Sequence, residues 1–144
     1  MLEPIITHHK ELKEIYKKMD FLRENFDIGN PEAFYEELMD LAKEMKNELN
    51  YHFNLQLYSY GENEKAKKFV LENMLVRDML NRMLDFIIAK SYEKSMDAFL
   101  KFDDFDEIFR AYLKKEKGLF IQQLKSVLSE DEIKECEEKL SKLV

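Results

Sequence analysis

The sequence predicts an all-α protein: an antiparallel up-down-up-down four-helix bundle with a short C-terminal helix, forming a single domain over residues 1–144. Three observations carry this. The 144 residues include only 3 Gly and 2 Pro, too little punctuation for a multi-stranded sheet. Apolar residues recur at three- and four-residue steps in long stretches, the period of a helix with one buried face. Helix starts stand at Asn30-Pro31-Glu32, where a capping side chain, a proline and an acid follow one another, and at Ser129-Glu-Asp-Glu132, a capping box. Long amphipathic helices with short breaks pack most simply up and down.

The first helix is predicted from Glu3 to Phe26. Ile5, His9, Leu12, Tyr16, Met19, Leu22 and Phe26 share its buried face, and His8 lies at the edge of that face. The second follows Asn30 and carries Phe34, Leu38, Leu41, Met45, Leu49, His52 and Gln56 at the same spacing. His52 and Gln56 are four apart, so they stack on one side of the helix, facing inward. Gly61-Glu-Asn-Glu64 reads as a tight surface turn.

The third helix, about Glu64 to Ser91, is apolar on more than one side, which leaves its phase open. On the line Leu71, Met74, Asp78, Asn81, Asp85 and Ile88, Asp78 faces the interior; on the other phase it is solvated beside Arg77 and Arg82. Ser91 to Lys101 reads as a helix end and an aromatic-bearing connection. The fourth helix then carries Phe105, Phe109, Tyr112, Leu119, Gln123 and Val127 on one stripe, with Glu116 on their line. After Ser129 a short last helix holds Ile133, Cys136 and Leu140.

Charged residues make up 37% of the chain and the net charge is −7, which argues against nucleic acid or anionic membrane as the main partner. The single cysteine, Cys136, excludes an internal disulfide, fits a reducing compartment and is most simply a small buried apolar residue. The N-terminus has neither a basic leader nor an apolar core segment, and no apolar run approaches the roughly 20 residues that span a bilayer. A soluble, cytoplasmic protein is expected. There is no Gly-rich phosphate loop, no Ser-His-Asp ordering and no zinc-finger spacing. No general base stands beside a nucleophile, so catalysis is not expected.

Glu116 is the residue that calls for chemistry. A carboxylate on a core-facing stripe is costly unless it is paired, protonated or bound to a cation. The segments His52-x3-Gln56-x2-Ser59-Tyr60 and Tyr112-x3-Glu116-x2-Leu119-Phe120 echo each other, as two helices facing across one site would.

With these residues in view, the chain resembles hemerythrin-like domains, helical bundles that hold a non-haem di-iron centre. The pattern of that family is an early His, His-x3-Glu on the second helix, a His on the third, and His-x3-Glu-x2-Leu-Phe on the fourth, followed by a short acidic helix. The resemblance runs through the whole chain in helix order. Its best local match is Glu116-Lys-Gly-Leu119-Phe120 through the Leu128-Ser-Glu-Asp-Glu-Ile133 tail. It implies that His9, His52 and Glu116 are metal ligands. Gln56 stands where the family has a bridging Glu, Asp78 where it has a His, and Tyr112 where it has the His of the last motif.

A di-iron pair needs bridging anions, and a neutral Gln56 cannot supply one; nor does Tyr112 ionise readily from a pKa of about 10. A standard di-iron centre is therefore not expected. His9, His52, Glu116 and Asp78, with Gln56 and Tyr112 as weaker candidates, would suit a single Zn²⁺, Fe²⁺ or Mn²⁺. Two function classes follow. One is a hemerythrin-like binding protein that handles or senses iron, oxygen, nitric oxide or redox state. The other is a metal-free bundle in which Glu116 pairs with a histidine and a helix face is presented to a partner or to a second copy in a homodimer.

Overall fold

The computed structural model describes residues 1–144 and contains six α-helices and no strand. They are α1 (Glu3–Glu24), α2 (Pro31–Leu57), α3 (Lys67–Tyr92), α4 (Asp97–Lys117), α5 (Leu119–Val127) and α6 (Glu130–Leu143), with a single 3-10 turn at Tyr60–Glu62. Their apolar faces meet in one core cluster, so the fold is an all-α bundle. No helix is long and apolar enough to cross a membrane.

The expected stripes of α1 and α2 are buried as pattern predicts, with small rotations. On α1, Ile15 joins Ile5, His9, Leu12, Met19 and Leu22 in the interior, and Tyr16 is half-buried. On α2, Tyr35 is buried where Phe34 was expected. Pro31 and Glu32 open α2 as anticipated, but the Asn30 side chain makes no cap bond. The fixed φ of proline at the first helical position serves the start, and Glu32 instead accepts from Lys94 Nζ at 2.7 Å.

The connection between α3 and α4 is shorter than the sequence suggests. Lys94 takes a left-handed φ of 57°, and the Ser95 and Lys94 amides donate to the Lys90 and Ser91 carbonyls at 2.9 and 3.0 Å. This pattern closes a helix C-terminus by satisfying its last carbonyls. Ser95 Oγ then accepts from the Asp97 amide at 3.2 Å, and α4 begins at once. Its first turns bury Ala98 and Phe99, which the pattern places in a connection, together with Phe102.

The fourth helix is also not continuous to Val127. Gly118 leaves helical geometry at φ −116°, ψ −84°, ending α4 after a turn rich in lysine that suits the negative end of the helix dipole. The break moves the following apolar phase by one residue. Phe120, Leu124 and Leu128 are buried, whereas Leu119 is 51% exposed and Gln123 and Val127 are half-buried.

Helix ends gather at two poles. The His9 and His52 rings lie 5.4 Å apart, bringing the start of α1 to the end of α2. Phe26, just past α1, packs on Tyr35 and Phe99 at 5.4 and 4.9 Å, at the starts of α2 and α4. Between the poles Tyr16 donates to Asp106 at 2.6 Å, tying α1 to α4.

The last helix closes the first pole. Ser129 Oγ accepts from the Glu132 amide at 3.2 Å, and Glu132 accepts from the Ser129 amide at 3.0 Å, the anticipated capping box. Cys136 and Leu140 are buried beneath α6. Glu137 accepts from the Tyr60 hydroxyl at 2.9 Å and from the Leu2 amide at 3.1 Å. Ser129→Ala should lower stability by about 0.5–2 kcal/mol through loss of the cap. Urea unfolding monitored by circular dichroism would measure it, and an unchanged midpoint would show that the box contributes nothing.

Candidate metal centre

At the first pole three helices bring polar side chains into the interior. His9 comes from α1, His52 and Gln56 from α2, and Tyr112 and Glu116 from α4. Each stands on an apolar stripe, so the same periodicity that buries leucines around them buries them too. Exposure is 0% for His52, Gln56 and Glu116, 2% for His9 and 3% for Tyr112.

Glu116 is the hub. Its Oε1 accepts from His9 Nε2 at 2.5 Å and from His52 Nε2 at 2.7 Å. Its Oε2 accepts from the Tyr112 hydroxyl at 2.8 Å and from the Gln56 amide. A carboxylate offers about four lone-pair sites, and all are used. Burial would raise the Glu116 carboxyl, but the charge and hydrogen bond of His52, with His9, override it and hold it down at about 2. Burial and the Glu116 charge push the Tyr112 hydroxyl well above its ordinary value, so it stays a phenol and a donor.

A second layer orients this hub. Lys115 has only donors, and its Nζ meets Asn73 Oδ1 at 3.0 Å. Asn73 therefore turns its Nδ2 to Gln56 Oε1, at 2.9 Å, and Gln56 must present its NH₂ to Tyr112, at 2.6 Å, and to Glu116. On the opposite side His8 Nδ1 lies 3.0 Å from His52 Nδ1, and His8 Nε2 lies 2.8 Å from Glu48 Oε2.

Five of the six residues singled out by sequence meet here. Asp78 does not. It sits on the outer phase of α3, its side chain 46% exposed and bonded to Arg77 at 2.9 Å. The interior phase of α3 is Val70, Asn73, Met74, Leu80, Leu84 and Ile87, so Asn73 occupies the place assigned to Asp78. Leu71, Leu75 and Met79 face outward, which is why apolar residues on several sides concealed the phase. Sequence reasoning missed Asn73, Glu48 and the role of His8. Glu48 did leave a signal: Glu48, His52 and Gln56 form a ladder at four-residue steps.

One ligand atom each from His9, His52 and Glu116 lies within 4.8 Å of the others. Two imidazoles and a carboxylate suit one borderline divalent ion, whose bonds of about 2.0–2.2 Å would hold neighbouring ligands about 3 Å apart. The observed N···O separations of 2.5 and 2.7 Å need open only by a few tenths of an ångström. A di-iron pair does not fit. Glu116 is the only carboxylate in the cluster, Gln56 turns its oxygen away, and Tyr112 is neutral. A surface groove lined by Ile6, Thr7, Lys10 and Lys13 reaches His9, and another lined by Val76, Ile108 and Ala111 reaches Tyr112.

The depressed Glu116 value has a pH signature. A carboxyl held below its unfolded value contributes fully above that value and loses its contribution as pH falls through the folded one. With chelator present, wild type should lose stability relative to Glu116→Leu as pH falls from 4.5 to about 2. Melting temperatures of the two proteins across that range would test it; parallel curves would refute the assignment.

No protein-family model matches the chain, and neither a curated protein nor a solved structure matches it.

Proposed function

We propose that this protein is a hemerythrin-like, up-down-up-down helical bundle that holds a single divalent ion, iron by the family resemblance, and acts by binding or sensing without turnover. The observation that carries this reading is the convergence of His9, His52 and Glu116 donor atoms within 4.8 Å in a buried site. The helix order is supported by the pole itself, where α1 and α3 begin and α2 and α4 end around His9, Asn73, Gln56 and Glu116. A cytoplasmic setting fits the free, buried Cys136.

His9 and His52 would supply nitrogen ligands and Glu116 the charge-balancing oxygen. A bound Fe²⁺ would supply a coordination position open to a small molecule such as oxygen or nitric oxide. Glu116 must release some of its four donors to take up an ion. The Tyr112 hydroxyl and Gln56 amide then become hydrogen-bond donors for whatever shares the site. The packed aromatic Phe53, 4.9 Å from the Tyr112 ring, helps keep bulk water out.

A second reading rests on the same hub. Because His9, His52, Gln56 and Tyr112 satisfy every lone pair of Glu116, the site is complete without an ion. The cluster is then a structural pin, and the exposed Leu71, Leu75 and Met79 of α3 offer a face for a partner or a second copy.

Thermal melting of wild type and Glu116→Leu, each with Zn²⁺, with anaerobic Fe²⁺ and with chelator, separates the two. Metal binding predicts that ion at a hundredfold excess over its dissociation constant stabilises wild type by about 2.7 kcal/mol, and that Glu116→Leu loses this response. A structural pin predicts no response to ion or chelator, with the mutant melting no lower because replacing a buried charge by a packed apolar side chain is often neutral or stabilising.

A further inference from the structure

We propose that the seam between α1 and α4 is an anion-binding groove that takes an oligophosphate chain, free or carried by a nucleotide. The groove runs over the surface beside the Glu116 cluster and needs no ion there.

What points to it is a concentration of positive charge on an acidic chain. Asp and Glu outnumber Lys and Arg by 30 to 23 overall. Two adjoining hollows of about 330 and 510 Å³, sharing Lys13 and Lys117, open between the two helices. Lys10, Lys13 and Lys17 line them from α1, Arg110, Lys114 and Lys117 from α4, and the one acid in the lining is Glu14. Arg110 is bonded to Asp106 at 2.6 Å, whereas none of the five lysines makes an ion pair. The larger hollow is deep. His9, 2% exposed and with its Nδ1 lacking a hydrogen-bond partner, forms part of its lining.

Local helix physics does not account for this arrangement. The negative end of the α4 dipole favours Lys114 and Lys117. Lys10, Lys13 and Lys17 stand mid-helix instead, at the three- and four-residue steps where like charges weaken a helix. Facing the two rows across one groove adds repulsion that a bound anion removes. The walls are held from spreading, because His9 meets Glu116 at 2.5 Å and Tyr16 donates to Asp106 at 2.6 Å near either end.

The dimensions select the ligand. Each row spans seven helical steps, about 10 Å at 1.5 Å each. A single orthophosphate reaches only part of such a row, while a chain of two or three phosphates presents charge along both walls. Lysine ammoniums bind phosphate as point charges on flexible stems, which suits a chain without fixed shape. A long nucleic acid is disfavoured. Beyond Lys17 and Arg110 the same seam carries Asp20, Asp103 and Asp106 around the single Arg23.

Isothermal titration of metal-free protein, without divalent ions, tests this with four probes: orthophosphate, tripolyphosphate, ATP and a short oligothymidylate. Tripolyphosphate should bind one per chain, about tenfold or more tighter than orthophosphate, with an affinity that falls as salt rises. The pair Lys13→Gln and Lys117→Gln should weaken it by about tenfold or more. The pair Lys43→Gln and Lys134→Gln makes the same change of charge on α2 and α6 and should leave it within about twofold. All four lysines are exposed, and melting of both double variants controls for folding. ATP binding as tightly as tripolyphosphate would assign the groove to a nucleotide's phosphate chain, and much weaker ATP binding to a free oligophosphate. No binding of tripolyphosphate, equal weakening in both double variants, or orthophosphate binding as tightly would overturn the proposal. So would tighter binding of the oligothymidylate, which would make the groove a nucleic-acid contact.

Discussion

A negative charge cut off from water must be satisfied by protein, and Glu116 imposes that requirement on the rest of the bundle. An isolated buried carboxylate costs far more than one domain can spare, so its donors are structural necessities. Those donors come from α1, α2 and α4, and α3 contributes through Asn73. The four long helices are thus registered against one another at a single point. Removing one donor strands the others' partner, whereas replacing the whole cluster by packed apolar groups need not destabilise the fold. Retaining it is more readily explained by specificity or by an ion than by stability alone.

Stability has its main source elsewhere. At the opposite pole Phe26, Tyr35 and Phe99 pack together, and Phe102, Phe105 and Phe109 stack in succession along α4, the last two rings 5.3 Å apart. Each fully buried aromatic or aliphatic side chain contributes about 1.5–3 kcal/mol from the area removed from water. Arg23, in the last turn of α1, lies 4.7 Å over the Phe102 ring while bonding Asp103, sealing the seam between α1 and α4 near this pole. The aromatic pole lets the other end carry buried polar groups that would be an expense in a smaller core.

The sequence made the all-helical class, α1, α2, α6 and five of the cluster residues readable, for one reason. Each of His9, His52, Gln56, Tyr112 and Glu116 interrupts an otherwise apolar stripe, and periodicity then places it inside. Asp78, left open between interior and solvent, lies where that logic weakens, and it takes the solvated position. α3 has apolar residues on two sides, so both phases score alike, and only packing against α2 and α4 selects the one that buries Asn73. Gly118 and Lys94 escaped for a different reason. Their effects come from backbone geometry, and a lysine in the left-handed region carries no compositional mark. His8 was legible only as an edge residue, because its partners Glu48 and His52 lie on another helix.

The orientation of Gln56 shows how the surroundings set the chemistry of the cluster. Were the amide turned over, its oxygen would face Glu116 and Tyr112, and it could serve as a neutral oxygen ligand. Lys115 forbids this at a distance: having no acceptor, it fixes Asn73, and Asn73 fixes Gln56. The amide therefore competes with an ion for Glu116 on one side, while the His52 ring, packed against His8, meets the same carboxylate on the other. The two layers oppose each other across one carboxylate. An ion gains two nitrogens already aimed inward but must displace hydrogen bonds to the only anion present. That arrangement offers two imidazoles and one carboxylate, and lacks the second carboxylate that would bridge a pair of ions.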